Sequence, residues 1–234
     1  MIPAHLLEKH LYFDVETAGI TPDLQTLQET NPRLAKLWER RVKYYRSYPE
    51  YAQETSDVIF LDKAGLEPEF ARVVCVSFGQ IDSDGKSRFI SFSGAEEAEI
   101  LAKSKKVFIN AQGKNMKLAG HNIKGFDVPC LCKRMLFNGI KPPALLQVWD
   151  KKPWEIPFLD TSEVFAFGSW SQQKYLSLDL LACSLDVVSP KEDIDGSQVH
   201  RVFWEEKDHS KIAQYCEKDV ETVINVLHKV SQLE

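Results

Sequence analysis

The stretch that decides the fold runs from residue 11 to residue 17 and reads Leu-Tyr-Phe-Asp-Val-Glu-Thr. Its apolar run contains an aromatic and a β-branched residue and stops at Thr-Ala-Gly, which predicts a short buried strand over Leu11 to Val15. Side chains alternate across a strand, so Asp14 and Glu16 should share one face with Tyr12. The alternate apolar residues then fill the opposite face. The sequence therefore predicts a buried strand that carries two carboxylates on one side.

Two carboxylates on one face of an apolar strand raise each other's pKa unless a cation neutralises them. Carboxylate oxygens are the ligands that Mg²⁺ and Mn²⁺ prefer. A strand end at which both acids simply meet solvent explains this short pattern equally well. The pair becomes informative only together with acids elsewhere in the chain.

A second acidic position follows another predicted strand, over Lys117 to His121. The apolar spacing of Phe126 to Phe137 predicts a helix, so Asp127 should lie near a helix start, just past a strand end. An ordinary acidic residue that complements the helix dipole is a serious alternative. His121 and Asn122 could equally be turn residues.

The third position lies on the clearest helix of the sequence, predicted over Ser210 to Val230 from its regular apolar stripe. Tyr215 and Asp219 are four residues apart and therefore share a face beside that stripe. A Tyr–Asp pair with this spacing is often only packing plus a hydrogen bond. Its assignment to a metal site depends on the other acids.

Taken together, the three patterns resemble the motifs of DEDD-type 3′→5′ exonucleases of the RNase H-like superfamily. The tyrosine before the last acid is typical of the DEDDy branch. In particular, the chain resembles predicted exonucleases related to the proofreading domain of family B DNA polymerases, to which the stretch from Ser189 to Val199 is also similar. The resemblance extends from about Leu11 to Leu227. The motif positions are Asp14, Glu16, Asn122, Phe126, Asp127, Tyr215 and Asp219.

The resemblance implies an α/β, three-layer RNase H-like fold. Its mixed central sheet combines an antiparallel meander with parallel strands and is flanked by helices. The order of elements agrees with this, with a hairpin over Arg72 to Ile81 and Arg88 to Phe92 and a helix over Ala95 to Lys105. A weak strand over Pro157 to Thr161 and a helix over Ser177 to Leu185 follow. We expect one domain over residues 1–234, with a helical insertion at about 21–68.

The resemblance also implies a site for two divalent cations, Mg²⁺ or Mn²⁺, about 3.5–4 Å apart. Asp14 would bridge both ions, Glu16 and Asp219 would complete one, and Asp127 would hold the other mainly through water. Tyr215 would orient the attacking water, because a phenol with a pKa near 10 is a poor base. The candidate substrate contacts are Thr17, His121, Asn122 and Phe126, and we also expect Phe126 to pack beneath the site.

The net charge of −5 argues against a protein that coats long duplexes, but four of the acids counted are the proposed ligands. Lys114, Lys117 and Lys124 flank the second motif and could contact phosphates. We therefore expect a single-stranded nucleic acid as partner, with DNA favoured over RNA. An RNA exonuclease with the same site and a non-catalytic nucleic-acid-binding module are the alternatives.

The insertion contains a predicted helix that begins at Asn31-Pro32 and interleaves basic and aromatic residues. Basic and aromatic residues together can hold single-stranded nucleic acid. We expect Trp38 and Tyr45 to be core residues and leave the role of Arg40, Arg41 and Lys43 open.

Two further acids receive other interpretations. Asp160 ends a strand-like run and should lie near the site without being a primary ligand, as the resemblance implies. Asp179 is interpreted as a structural helix residue.

No apolar run is long enough for a membrane span, and the N-terminus lacks a signal-like segment. The five cysteines show no paired metal-site spacing. These features predict a cytoplasmic protein in a reducing compartment.

Overall fold

A five-stranded mixed sheet forms the centre of the molecule, in the strand order β3-β2-β1-β4-β5. The computed structural model describes residues 3–168, 176–188 and 194–233. Strands β1 to β3 form an antiparallel meander, and β4 and β5 continue the sheet parallel to β1. This is the mixed sheet that the sequence predicts. The strands are β1 (His10–Gly19), β2 (Ala71–Ile81), β3 (Ser87–Ser93), β4 (Lys117–Gly120) and β5 (Leu159–Asp160).

Helices cover both faces of this sheet and fill the segment between β1 and β2. The α-helices of the described residues are α1 (Ala4–Leu7), α2 (Leu24–Thr30), α3 (Pro32–Tyr45), α4 (Ser56–Lys63), α5 (Glu97–Gly113), α6 (Asp127–Phe137), α7 (Thr161–Val164), α8 (Leu178–Ser184), α9 (Val199–Arg201) and α10 (His209–Ser231). No described helix is long and apolar enough to cross a membrane.

The central strand β1 buries both of its faces, as the alternation of its side chains predicts. Leu11, Phe13 and Val15 pack against residues of α5 and α6 on one side of the sheet. Tyr12 packs against α10 on the other side. Because Asp14 and Glu16 follow Tyr12 at intervals of two, they lie on the α10 side.

Strand β1 is longer than the predicted strand, which ended at Val15. It runs to Gly19 across an irregularity in register between Glu16 and Thr17, beyond which residues 17–19 pair with residues 71–73 of β2. Strand β1 does not end at the Thr-Ala-Gly segment, because β2 supplies hydrogen-bond partners for the backbone of these residues. The partner of Glu16 in β2 is Cys75.

The predicted end of helix α5 at Lys105 is wrong, because the helix continues to Gly113. Phe108 and Ala111 are buried on this helix, as Ile100 and Leu101 are. The apolar stripe thus continues for two more turns. Strand β5 is shorter than predicted, with two residues in place of five.

The segment between β1 and β2 holds α2, α3 and α4 around a small core of its own. Asn31 caps α3 as predicted, since its side-chain oxygen accepts from the Leu34 amide at 3.1 Å. Trp38 is fully buried and its ring packs against Phe60 and Phe70. The prediction that Trp38 and Tyr45 are core residues is confirmed.

Candidate active site

A cavity of about 660 Å³ opens at the site predicted from the acidic motifs. Six parts of the chain form its wall: β1, the end of the insertion, the loop after β4, the start of α6, the start of α8, and α10. Its lining residues are Asp14, Val15, Lys63, Leu66, His121, Asn122, Gly125, Phe126, Asp127, Ser177, Leu178, Asp179, Tyr215 and Asp219. Acids from four distant parts of the chain, Asp14, Asp127, Asp179 and Asp219, therefore line one partly open cavity.

The first acidic pair lies against α10. Carboxylate oxygens of Asp14 and Glu16 and the Sγ atom of Cys216 lie within 4.8 Å of one another. The Cys216 thiol donates to the Asp14 carboxylate at 3.3 Å. Burial and the neighbouring carboxylates raise the pKa of Cys216 well above its usual value, so the thiol keeps its proton. Glu16 belongs to this cluster although it is not part of the cavity wall.

The carboxylates of the site oppose one another's ionisation. Burial raises the pKa of Asp14 to about 6, and hydrogen bonds from the Cys216 thiol and the Val15 amide partly offset this effect. Burial, followed by the charges of Asp14 and Asp219, raises the pKa of Glu16 well above its usual value. Burial and the charge of Asp14 do the same for the pKa of Asp127, the first residue of α6. The ionised site therefore requires a neutralising charge.

A divalent cation fits this requirement and this donor set. Among the described residues, no lysine or arginine forms a salt bridge with Asp14, Glu16 or Asp127. Carboxylate oxygens suit hard cations such as Mg²⁺ and Mn²⁺. The protonated Cys216 thiol acts as a hydrogen-bond donor and does not turn the site into one for a soft metal.

Tyr215 and Asp219 share a face of α10, and the Tyr215 hydroxyl hydrogen-bonds the Asp219 carboxylate. Burial and the charges of Glu16, Asp219 and Asp14 raise the pKa of Tyr215 above its usual value. The phenol therefore remains a hydrogen-bond donor. A Cβ atom on Gly196 would lie 4.0 Å from the Tyr215 hydroxyl oxygen, so the segment around Gly196 passes close to this group.

That segment is part of the stretch from Ser189 to Val199 in which the polymerase-related resemblance was noted. Residues 189–193 of this stretch lie outside the described residues. Ile194 and Val199 are buried in the cluster that also contains Tyr215 and Cys216.

The loop between β4 and α6 is held by Asp160, a residue that sequence reasoning placed near the site but gave no role. This buried carboxylate accepts from the amides of Asn122 at 2.8 Å and Lys124 at 3.0 Å. It also accepts from the amide and hydroxyl of Ser162, at 3.0 and 2.7 Å. Asp160 thus fixes the loop that leads directly into Asp127.

Three predicted substrate contacts lie in the cavity wall. Asn122 has a positive φ of 57°, and a side chain at position 125 would collide with its amide, which explains Gly125. The His121 ring nitrogens lie 2.8 Å from the Thr161 hydroxyl and 2.7 Å from the Leu176 carbonyl, and burial lowers its pKa. Phe126 both lines the cavity and packs on the main core. Their contact with substrate stays a prediction.

The fourth predicted contact, Thr17, is not part of the cavity wall. Its hydroxyl donates to the Gly65 carbonyl at 2.6 Å. Gly65 lies between Lys63 and Leu66, the two insertion residues that line the cavity. In this structure Thr17 ties the end of β1 to the insertion.

Sequence reasoning missed several residues of the wall. Lys63 and Leu66 carry no local signal, because only the folding of the insertion brings them to the site. Asp179, interpreted as structural, lies in the wall beside Ser177 and Leu178. Lys124, one of three lysines that could contact phosphates, pairs through its amine with Glu163 at 2.5 Å.

Two comparisons with known proteins gave matches, one to the fold and one to a family. The structure of a family B DNA polymerase from the hyperthermophilic archaeon Pyrobaculum calidifontis matches with a TM-score of 0.55 at 16% sequence identity. The match covers 94% of this chain but only 24% of the polymerase chain. The RNase H-like α/β fold predicted from the sequence is thereby confirmed.

The chain belongs to the family DNA_pol_B_exo2, described as a predicted 3′-5′ exonuclease related to the exonuclease domain of PolB. The family model matches residues 65–232, which include Asp127, Tyr215 and Asp219 but not the first acidic pair. No curated protein matches this chain. The resemblance stated from the motifs is therefore confirmed at the level of the family.

Proposed function

We propose that this protein is a 3′→5′ exonuclease that hydrolyses terminal phosphodiester bonds of single-stranded DNA with two divalent cations. The observation that carries the proposal is the convergence of Asp14, Asp127, Asp219 and Tyr215 on one cavity. The wall and its surroundings supply acidic oxygen ligands, a protonated phenol and a rigid loop. Membership of a family of predicted exonucleases supports the same conclusion.

Asp14, Glu16, Asp127 and Asp219 would hold the cations, and the raised pKa values of the first three record how strongly these carboxylates need neutralisation. Bound divalent ions would lower the pKa of a water molecule and stabilise charge on the attacking and leaving oxygens. The carboxylates thereby define where the reacting phosphate lies.

The remaining groups would position the substrate and the nucleophile. Tyr215 keeps its proton, which its hydroxyl donates to the Asp219 carboxylate, and its oxygen can accept a hydrogen bond from the attacking water and so orient it. That water adds to the terminal phosphorus, the bond to the 3′ oxygen of the preceding nucleotide breaks, and the departing oxygen takes up a proton. Asn122, His121 and Phe126 would surround the terminal nucleotide.

Release of nucleotides from a labelled strand tests this proposal. A single-stranded DNA with a 3′-terminal label should lose the label as a mononucleotide when Mg²⁺ or Mn²⁺ is present. A 5′-labelled copy should shorten one nucleotide at a time. If DNA strands and matched RNA strands both stay intact at every metal concentration, the exonuclease is refuted and a non-catalytic nucleic-acid-binding module is favoured.

The choice of DNA rests on the relation of the family to the PolB exonuclease domain. An RNA exonuclease with the same site is the second candidate, because discrimination depends on contacts to the 2′-hydroxyl. Matched DNA and RNA strands of one sequence separate the two. A higher kcat/KM on RNA than on DNA would contradict DNA as the substrate and support the RNA exonuclease.

A further inference from the structure

A second cavity, of about 620 Å³, lies on the other side of the first turn of α6. Its lining is almost wholly apolar and includes Val128, Pro129, Leu136, Leu146, Phe158 and Trp149. We call it the α6 groove. Trp149 is 87% exposed at its edge, which is unusual for the largest apolar side chain. Covering an exposed apolar surface of this kind with a ligand is energetically favourable.

The α6 groove adjoins the candidate active site along the chain, although the two cavities share no lining residue. Phe126 and Asp127 line the active-site cavity, and the next two residues of α6, Val128 and Pro129, line the groove. The Lys124 amine also lies 3.5 Å from the Pro153 carbonyl, so the loop of the second motif contacts the segment that carries Trp154. Trp154 is 70% exposed.

Lysines without acidic partners lie in and near this groove, in addition to Lys124 and Lys133, which line it and are paired with glutamates. Lys141 lines the groove, and Lys151 and Lys152 follow Trp149 closely in the chain. All three are exposed, and among the described residues none of them forms a salt bridge. The Lys152 amine lies over the Trp154 ring, 5.4 Å from its centre. A chain with a net charge of −5 thus keeps unpaired lysines beside exposed tryptophans.

We propose that the α6 groove binds the unpaired nucleotides that precede the 3′-terminal nucleotide of the substrate. Exposed aromatic rings with nearby lysines suit stacked bases and their phosphates. Val128 and Pro129 of the groove directly follow Asp127 of the active-site cavity in the chain. Charge complementarity favours this polyanionic occupant over an apolar peptide. The proposal rests on the proposed function for the direction of the strand, but the binding surface can be tested without turnover.

Binding is measured with a fluorescently labelled single-stranded 12-mer and Mg²⁺, using full-length protein that carries Asp14→Asn to prevent cleavage. Stacking on an aromatic ring typically contributes about 1–3 kcal/mol per base. Adding Trp149→Ala and Trp154→Ala together should therefore weaken binding at least tenfold. Trp149→Phe keeps an aromatic plane and should retain most of the affinity. Both tryptophans are exposed, so melting temperatures should not change.

The lysines are tested by the triple variant Lys141→Gln, Lys151→Gln, Lys152→Gln. Its charge-matched control replaces Lys103, Lys105 and Lys106 on α5. The first variant should bind the 12-mer more weakly and reduce the salt dependence of binding, while the control should not. Equal effects of both variants would show that the three lysines act only through the net charge of the protein, which would overturn that part of the proposal.

Strand length separates this proposal from the proposed function. With otherwise wild-type protein, KM for cleavage should fall as the strand is lengthened from three to twelve nucleotides. The tryptophan double variant should lose that dependence and cleave the trinucleotide normally. Unchanged affinity and an unchanged length dependence in an active enzyme would overturn the groove proposal alone. Tryptophan-dependent binding without cleavage by any form would support the groove and contradict the exonuclease.

Discussion

Asp14 is the residue on which the electrostatics of the site depend most clearly. It touches Cys216 on α10, and its charge contributes to the raised pKa values of Glu16, Asp127 and Tyr215. A carboxylate that raises the pKa of its neighbours costs folding free energy in the metal-free protein. The same arrangement favours binding of cations, because a bound cation removes the repulsion.

Asp14→Asn should stabilise the metal-free protein at neutral pH. The pKa of Asp14 is about 6 in the folded protein, whereas the ordinary pKa, near 3.8, applies to the unfolded chain. The folded protein therefore holds this proton more tightly, and the stability that the proton contributes is fully present below pH 3.8. That stability is lost as pH rises through 6. The variant should therefore match wild type near pH 4 and exceed it by on the order of 2–3 kcal/mol at pH 8.

Urea denaturation of both proteins with EDTA across this pH range measures the difference. Taking the difference cancels the opposite pH effect of the buried histidines, whose pKa values are lowered. Saturating Mg²⁺ at pH 8 should shrink or reverse the advantage of the variant. A difference that is independent of pH would show that Asp14 is not destabilised by ionisation.

Tyr215→Phe should slow cleavage without much loss of metal binding. Phe preserves the packing of Tyr215 in its buried cluster and removes only the hydroxyl. An orienting group of this kind contributes about 10²–10⁴-fold, and we expect the low end of this range. Single-turnover rates over a Mg²⁺ series make the test, and unchanged rates at saturating metal would remove Tyr215 from the mechanism.

At the scale of elements, local patterns predicted the strands and helices that carry the acids, but not what holds them together. The alternation of β1 and the stripe of α10 can be read directly from the sequence. The bonds from Asp160 to the amides of Asn122 and Lys124 span 38 and 36 residues and have no local signal. Boundaries were missed where a tertiary partner extends an element, as β2 does for residues 17–19 of β1.

Asp160→Asn should damage both stability and activity. One carboxylate oxygen accepts from the Lys124 amide and the other from Asn122 and Ser162. The asparagine side chain has one oxygen and one NH₂ group, and the NH₂ group cannot accept a hydrogen bond. At least one buried N–H that the carboxylate accepted from therefore loses its acceptor, which costs about 1–3 kcal/mol of stability. The loop into Asp127 then loosens, and we expect KM to rise.

Ser162→Ala is the matched control, since it removes one bond to the same carboxylate and leaves both loop amides in place. Urea denaturation and steady-state kinetics of both variants make the comparison. Equal KM values for the two variants would show that Asp160 does not position the loop.

At the scale of the whole molecule, the segment between β1 and β2 forms part of the wall of the candidate active site through Lys63 and Leu66. The sequence predicted a helical insertion before β2 but could not show which of its residues reach the site. That depends on contacts such as the one between Thr17 and Gly65. Of the basic residues on α3, Arg41 is paired with Glu67, whereas Arg40 and Lys43 are exposed.

The cavity that the acids line predicts a preference for single-stranded or frayed 3′ ends over blunt duplex. A terminal nucleotide that enters the cavity must leave the base stack, which costs a few kcal/mol at a paired end. Cleavage rates of single-stranded and blunt duplex substrates across a salt series make the test. Equal rates on both substrates would refute the preference.

Arg40→Gln with Lys43→Gln tests whether the insertion contacts the strand. If both contact phosphates, the double variant should reduce the salt slope of single-strand binding by about 1.4, which is about 0.7 for each lost contact. The Lys103, Lys105 and Lys106 variant serves as the control. An unchanged salt slope would show that Arg40 and Lys43 of α3 are solvent-exposed residues with no part in binding.

The central claim is that acids from β1, α6 and α10 form one metal-dependent exonuclease site. Its most direct test is the single-turnover rate of mononucleotide release from a 3′-labelled single strand in Mg²⁺, for wild type and Asp14→Ala. Loss of several kcal/mol of transition-state stabilisation predicts a rate at least about 10³-fold lower, with an unchanged or higher melting temperature. A rate close to wild type from a folded Asp14→Ala protein would contradict the account.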